Sequence, residues 1–335
     1  MKYKGITYDI GTEYRSGEFS RNNLNESVIK SDMDVIKNSL YCNSIRIYGK
    51  DTPLLIMASK IALQYGLNVW ISPRLINENE TNTLINLKDV ANKFESLKNK
   101  YIDRELVFIV GGELTIDMNC FVAGATIQER VSNLVKPLFF IKSALGLKPK
   151  YQKSFNKFLK DASRVVREEF SGKVTYAGAI WETVEWDDFD FISINLYKAS
   201  FNASTYEHKL RKAVSLGKPF IITEFGCCCY DGADKRGPTG YSVLDTSKMP
   251  PVFKEKCTRN EKVRSNYILE LLQIYERENV EGAFIFDFYS QRNTYNRNPE
   301  YDFDMAGFSI TKSIGENKWE PKDSFFKIAE YYKEN

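Results

Sequence analysis

Two glutamates, each placed at the end of an apolar segment, are the side chains of this sequence best suited to catalysis. Glu224 lies in the run Pro219-Phe-Ile-Ile-Thr-Glu-Phe-Gly226, and Glu113 closes the run Leu106-Val-Phe-Ile-Val-Gly-Gly. Short apolar runs bounded by Gly or Pro are typical of strands that are buried on both faces. A carboxyl group at such a position is costly unless it has a role. Two of them predict a pair of carboxyl groups acting on one substrate.

Histidine and cysteine chemistry is poorly represented. The one histidine, His208, lies in a predicted helix, which argues against most Ser-His-Asp, Cys-His and histidine-metal mechanisms. The six cysteines, at positions 42, 120, 227, 228, 229 and 257, lack the spacing of a zinc site. We expect reduced thiols, with the triplet packed behind Glu224. We therefore predict no metal and no cofactor; an all-carboxylate Mg²⁺ site in a different barrel hydrolase is an alternative.

The composition narrows the possible partners. With 47 basic and 44 acidic side chains the net charge is +3, which gives no reason to expect binding to nucleic acid or to an anionic membrane. We see no run of about 18 apolar residues, as a membrane span would need, and no signal-peptide pattern. We therefore expect a cytoplasmic protein. Aromatic residues make up 14% of the chain, a content that suits a carbohydrate site.

Short apolar strands alternate with amphipathic helices along the whole chain. The strands are predicted at 4–10, 44–48, 67–72, 106–112, 174–179, 191–197, 220–223 and 283–288. Long loops follow strand four (114–150) and strand seven (227–260), and only a short segment, 181–190, joins strands five and six. This order predicts an α/β fold, a (β/α)8 TIM barrel forming one domain over residues 1–335. An open doubly wound sheet would want a G-x-G-x-x-G turn, which is absent.

In a (β/α)8 barrel, side chains at the carboxyl ends of the strands converge on one pocket. Here those ends are rich in acids, arginines and aromatic residues. In chain order they are Asp9, Arg46, Arg74, Glu113, Trp181, Glu182, Asn195, Tyr197, Glu224 and Asp287. Glu113 on strand four and Glu224 on strand seven are expected to face each other across the barrel mouth.

These residues resemble those of the clan A glycoside hydrolases, which are (β/α)8 enzymes that cleave glycosidic bonds with retention of configuration. The shared features are the strand-four and strand-seven glutamates, Arg46 on strand two and Tyr197 on strand six. The runs Tyr8-Asp-Ile-Gly-Thr-Glu13, Ser44-Ile-Arg-Ile-Tyr-Gly49 and Ile222-Thr-Glu-Phe-Gly-Cys-Cys228 also resemble a family of bacterial proteins. Members of that family are labelled as hydrolases or as abortive-infection proteins.

The resemblance implies a role for each of these residues and a carbohydrate as the substrate. Glu224 would be the nucleophile and Glu113 the general acid/base. The remaining residues would orient the nucleophile or bind the sugar: Arg46, Tyr197, Trp181, Glu182, Asp9 and Asp287.

The chain departs from the clan at two points. Gly112 stands where the clan has an asparagine that binds the substrate 2-hydroxyl, and strand eight ends in Phe286-Asp287-Phe288 in place of a tryptophan. The alternative is therefore a catalytically inactive barrel that binds a carbohydrate or a protein partner.

Overall fold

Eight parallel strands form the central sheet of the computed structural model, which describes residues 1–134 and 149–335. The strands are β1 (Tyr3–Asp9), β2 (Ser44–Gly49), β3 (Asn68–Pro73), β4 (Leu106–Gly112), β5 (Lys173–Ala177), β6 (Ile192–Asn195), β7 (Phe220–Phe225) and β8 (Gly282–Ile285). Their spatial order is β5-β4-β3-β2-β1-β8-β7-β6. A parallel bridge between Gly178 and Ile194 joins β5 to β6. The (β/α)8 barrel predicted from the sequence is confirmed.

Among the described residues, α-helices follow every barrel strand except β5. They are α1 (Glu26–Asp34), α2 (Thr52–Gln64), α3 (Glu80–Lys100), α4 (Leu114–Asp117), α5 (Ile127–Leu134), α6 (Gln152–Glu169), α7 (Tyr206–Val214), α8 (Glu261–Arg277) and α9 (Asp323–Glu334). Side-chain oxygens of Asn25, Asp51, Asn79 and Asn260 cap α1, α2, α3 and α8. None of the described helices is long and apolar enough to cross a membrane.

The barrel interior is filled by large side chains and is not a channel. Trp70 is fully buried, and its ring lies 5.0–5.2 Å from the rings of Tyr3, Phe191 and Phe284. These residues belong to the inner cluster, together with Val107, Ile109, Ala177 and Ile221. Because the inside is packed, any substrate has to bind above this cluster, at the strand ends.

The segments beyond the strands are more elaborate than the periodicity of the sequence predicts. The loop after β4 contains α4 and α5, and the rest of the predicted 114–150 loop, residues 135–148, lies outside the described residues. The loop after β7 contains 3-10 turns and a small hairpin, Leu244–Asp245 with Val252–Phe253. A further hairpin, Thr311–Gly315 with Lys318–Pro321, precedes α9.

Candidate active site

Glu224, on β7, is held at both carboxylate oxygens. Arg46 Nη1 donates to Oε1 at 2.7 Å and also to the carbonyl oxygen of Thr223 at 3.2 Å. The hydroxyl of Tyr197 donates to Oε2 at 3.3 Å. The Glu224 side chain is 14% exposed and that of Arg46 is 3% exposed. An ion pair of this kind, with a second donor on the other oxygen, fixes the direction in which the carboxylate points.

Glu113 follows β4 directly and has a left-handed backbone conformation, with φ of 50°. Its N–H donates to the carbonyl oxygen of Ala177 at 3.0 Å, and its Oε1 accepts from Asn195 Nδ2 at 3.1 Å. Burial and the nearby negative charge of Glu224 raise the pKa of Glu113 to about 8, against an ordinary value of 4.5. At neutral pH this carboxyl group therefore carries a proton.

A short polar chain links the surroundings of the two glutamates. Asn195 donates to Glu113 and accepts, at Oδ1, from the Thr223 hydroxyl at 2.8 Å. Asn195 also pairs in register with Glu224 across β6 and β7. The sequence places Asn195 at a strand end but gives it no role; the structure shows it donating to Glu113, which follows the strand two positions away in the barrel. The site thus combines a protonated carboxyl group with an oriented carboxylate.

Trp181 and Glu182 lie behind Glu113 and support the turn that carries it. Glu182 Oε1 accepts from the N–H and the hydroxyl of Thr115, at 3.1 and 2.7 Å. Its Oε2 accepts from the Tyr176 hydroxyl and the Ala179 N–H, both at 2.8 Å. The indole of Trp181 donates to the Thr115 hydroxyl at 3.0 Å. In this structure both side chains are engaged with the protein, so their sequence-predicted contact with substrate stays a prediction.

Asp9 and Asp287 occupy the side of the mouth formed by β1 and β8. Each is only 5% exposed. Asp9 Oδ1 accepts from the Gly11 N–H at 2.9 Å. Asp287 Oδ1 is buried and has no hydrogen-bond partner among the described residues. Burial raises the pKa of Asp9, and burial together with the Asp9 charge raises that of Asp287 well above its usual range.

A second ion pair at the mouth joins Arg74 to Asp117, a residue that the sequence analysis did not single out. Arg74 donates to Asp117 from Nε at 2.7 Å and from Nη2 at 3.1 Å, and from Nη1 to the Tyr14 hydroxyl at 3.3 Å. Asp117 ends α4, four residues after Glu113, so one turn of helix brings it to the mouth. The four-residue spacing between Glu113 and Asp117 is the sequence pattern from which this position could have been predicted.

Aromatic rings form a wall next to Glu224. Phe308 lies edge-on to Tyr197 with ring centroids 5.9 Å apart, and 5.7 Å from the ring of Phe286. Phe286 in turn lies 6.3 Å from Tyr48. Phe286 and Phe308 are only partly buried. Partly exposed rings beside Glu224 provide an apolar surface on which a sugar ring can stack.

The cysteine triplet is buried beyond Glu224, where packing was expected. Cys227, Cys228 and Cys229 are free thiols with 0% exposure. Cys228 Sγ contacts the carbonyl oxygen of Ala306 at 3.2 Å. Burial raises the pKa of Cys228 well above its ordinary value, which keeps the thiol protonated and unreactive. Within 1–134 and 149–335, no three His, Cys, Asp or Glu side chains are grouped so as to hold a metal ion.

Comparison with solved structures gives the same fold. The chain is similar to a GH113 β-1,4-mannanase, at 14% identity over 100% of both chains and a TM-score of 0.63. It is also similar to a β-glucuronidase of Parabacteroides merdae, at 14% identity over 99% of this chain and 36% of that chain, with a TM-score of 0.58.

A β-glucosidase matches 100% of this chain and 99% of its own, at 10% identity and a TM-score of 0.55. No family model and no curated protein matches the sequence. At such low identities these neighbours show a barrel of the kind that glycoside hydrolases have. They lend no support to the abortive-infection label.

Proposed function

We propose that this protein is a retaining glycoside hydrolase, or a transglycosidase, in which Glu224 is the nucleophile and Glu113 the general acid/base. The observation that carries the proposal is the unequal state of the two carboxyl groups. Glu224 accepts hydrogen bonds from Arg46 and Tyr197, while the pKa of Glu113 is raised to about 8. A retaining glycosidase needs this division between an ionised attacker and a protonated acid.

In the first step, a Glu224 oxygen attacks the anomeric carbon and forms a covalent glycosyl ester. The glycosidic C–O bond breaks, and the departing oxygen takes the Glu113 proton, so it leaves as a neutral alcohol. Arg46 and Tyr197 keep the attacking carboxylate in one orientation. Near-attack alignment of this kind is a large part of what an enzyme contributes.

In the second step, Glu113 acts as a general base, whereas in the first step it acted as a general acid. Ester formation removes the negative charge of Glu224, and that charge is one cause of the raised pKa of Glu113. The pKa of Glu113 therefore falls while the glycosyl-enzyme exists, and the ionised Glu113 accepts a proton from the incoming water. The water oxygen bonds to the anomeric carbon, and Glu224 leaves as a carboxylate. A sugar hydroxyl in place of water would give transglycosylation.

Gly112 is the observation that favours the alternative, an inactive carbohydrate- or protein-binding barrel. An asparagine at this position would offer the substrate an amide that Gly112 lacks. Asn195 supplies an amide on the opposite side of the acid, where it contacts Glu113 itself. The hydrogen bonds from Arg46 and Tyr197 to Glu224 and the raised pKa of Glu113 support the enzyme over this alternative.

The test is trapping of the covalent intermediate. The protein is incubated with activated 2-deoxy-2-fluoro-β-glycosides of several sugars, since the structural neighbours act on β-linkages according to their names. Peptide mass spectrometry should find one sugar on the peptide that contains Glu224 and none in Glu224→Gln. The control variant Glu185→Gln, which changes an exposed residue, should label like the wild type. Failure of every sugar to label, with carbohydrate binding intact in Glu224→Gln, would establish the binding barrel instead.

A further inference from the structure

Asp287 is the one acid at the barrel mouth whose carboxyl group makes no hydrogen bond within the described residues. Its Oδ1 is buried without a partner, while the residue keeps 5% exposure. Buried polar atoms in native proteins are almost always satisfied, and an exception at a site calls for an explanation such as a bound ligand or water. The backbone holds Asp287 firmly, because its carbonyl oxygen accepts from the Ile310 N–H at 2.9 Å.

The neighbouring residues place Asp287 in the same recess as the proposed catalytic pair. Phe286 donates its N–H to Phe225, at the end of the strand that carries Glu224, and Phe288 donates to Thr7 on β1. Asp287 therefore lies between the ends of β7 and β1. The charges of Asp9 and Glu224 both act on its carboxyl group.

Among the described residues, the two cations whose charges act most on Asp287 are Lys322 and Arg264, and both are bound to other groups. Lys322 pairs with Asp304 at 2.9 Å. Arg264 donates its guanidinium N–H groups to three backbone carbonyls, those of Cys227, Gly307 and Ser309. Both of these cations are fully buried in the packing behind β8.

The arginines at the mouth are also engaged. Arg46 pairs with Glu224, and Arg74 pairs through two nitrogens with Asp117. Arg21 pairs with Asp32 at 2.8 Å. A sugar that carries its own carboxylate would thus enter a recess of carboxyl groups, with every arginine named here already paired.

Resting on the proposed function, we propose that Asp287 determines specificity by hydrogen-bonding a ring hydroxyl of an uncharged sugar, and that hexuronic acids are excluded. A protonated carboxyl group donates one hydrogen bond and accepts others, as a hydroxyl requires. Asp9, on the adjacent strand end, supplies a second carboxyl group that can reach the same ring. A substrate carboxylate would add a negative charge beside Asp9 and Glu224, and like charges in a buried site repel strongly.

The experiment compares enzyme and substrate changes together. Wild type, Asp287→Ala and Asp287→Asn are assayed with 2,4-dinitrophenyl β-glycosides of mannose, glucose, galactose and glucuronic acid, and with monodeoxy forms of the best substrate. We expect Asp287→Ala to lower kcat/KM about ten- to a hundredfold on the best substrate, the size of one hydrogen bond to a buried polar group. For the deoxy analogue that lacks the hydroxyl bound by Asp287, the kcat/KM values of Asp287→Ala and of the wild type should be almost equal. Asp103→Ala, an exposed residue, is the control.

The outcomes separate this inference from the proposed function. Hydrolysis by the wild type, with Asp287→Ala equally active on every analogue, overturns the role of Asp287 alone. A glucuronide cleaved better than the neutral glycosides overturns the exclusion of hexuronic acids. No hydrolysis and no labelling of Glu224 by the wild type would sink the proposed function, and this inference with it. Asp287→Asn keeps the shape of the side chain, so it reports on the contact even where alanine disturbs folding.

Discussion

At the scale of single residues, the proton on Glu113 decides which half of the proposed reaction the site can perform. A pKa of about 8 leaves most molecules protonated at neutral pH. The two largest causes of the raised pKa differ in kind, since burial is permanent and the Glu224 charge disappears when that residue is esterified. One carboxyl group can therefore serve as acid and then as base without any movement of the protein.

The pH dependence of hydrolysis should show this proton. The value of kcat/KM should fall as pH rises through about 8, because the acid form of Glu113 is lost. In Glu113→Ala the alkaline fall should disappear. Glycosides with poor leaving groups should lose about 10²–10⁴ in rate, while 2,4-dinitrophenyl glycosides lose far less, since that leaving group needs no proton. An unchanged alkaline limb in Glu113→Ala would assign the titration to another group.

The raised pKa of Glu113 should also make the stability of the protein depend on pH. The folded pKa of Glu113, about 8, lies above its ordinary value of 4.5. The unfolded chain therefore ionises first, and the folded state loses stability relative to it as pH rises from about 4.5 to 8. Glu113→Gln has no such group, so its Tm should exceed that of the wild type by an amount that grows over this interval. Glu334→Gln, at an exposed site, should show a constant difference, and a constant difference for Glu113→Gln would contradict the assignment.

At the scale of elements, the local sequence pattern was enough to predict the barrel strands. It was not enough to predict the side-chain contacts and the hairpin around the site. The apolar run at 220–223 and the carboxylate after it were readable because a buried strand leaves a periodic signature. The contact of Asn195 with Glu113 joins residues 82 positions apart. No local pattern encodes such a contact, and for the same reason the sequence did not predict the hydrogen bond that the Trp181 indole donates to Thr115, 66 positions away. The hairpin at 311–321 is short and mixed in polarity, so its alternation is weak.

The turn that carries Glu113 depends on Glu182. Replacing Glu182 with alanine leaves the N–H groups of Thr115 and Ala179 without acceptors. We expect a loss of about 2–4 kcal/mol in the free energy of unfolding, typical for a broken buried network. Urea denaturation measures this loss. Glu185→Ala, an exposed residue on the same loop, should change stability by less than about 0.5 kcal/mol. Equal effects of the two substitutions on the free energy of unfolding would show that Glu182 does not stabilise the turn that carries Glu113.

At the scale of the whole molecule, a buried ion cluster ties the segment after β7 to the segments after β8. Arg259 pairs with Asp302 at 2.8 Å and with Asp304 at 2.9 Å. Lys322, just before α9, pairs with the other oxygen of Asp304 at 2.9 Å, and neither side chain of that pair is exposed. The aromatic wall belongs to the same region, since Phe308 follows Asp304 by four residues. The cluster therefore fixes one side of the mouth.

Removing one charge from this cluster should lower the stability of the folded protein strongly. In Asp304→Asn, Lys322 keeps a buried positive charge without its ionised partner, while Arg259 still pairs with Asp302, and we expect a loss of about 3–5 kcal/mol in stability. Thermal unfolding followed by circular dichroism would show a large fall in Tm. Asp304→Leu combined with Lys322→Met removes both charges and should regain much of that loss. A double variant that is less stable than Asp304→Asn would contradict this account.

Gly112 has a wider consequence for how this site can change. A Cβ atom built at residue 112 would lie 3.0 Å from Arg46 Nη2 and 3.4 Å from the Cβ of Ala177. Arg46 is the side chain that aims Glu224. Gaining a side chain at 112 and keeping the nucleophile aligned are thus linked traits. Installing an asparagine beside the acid needs a shift of a few tenths of an ångström in the Arg46 guanidinium, so a designer who grafts that amide should check that Glu224 keeps its hydrogen bond to Arg46.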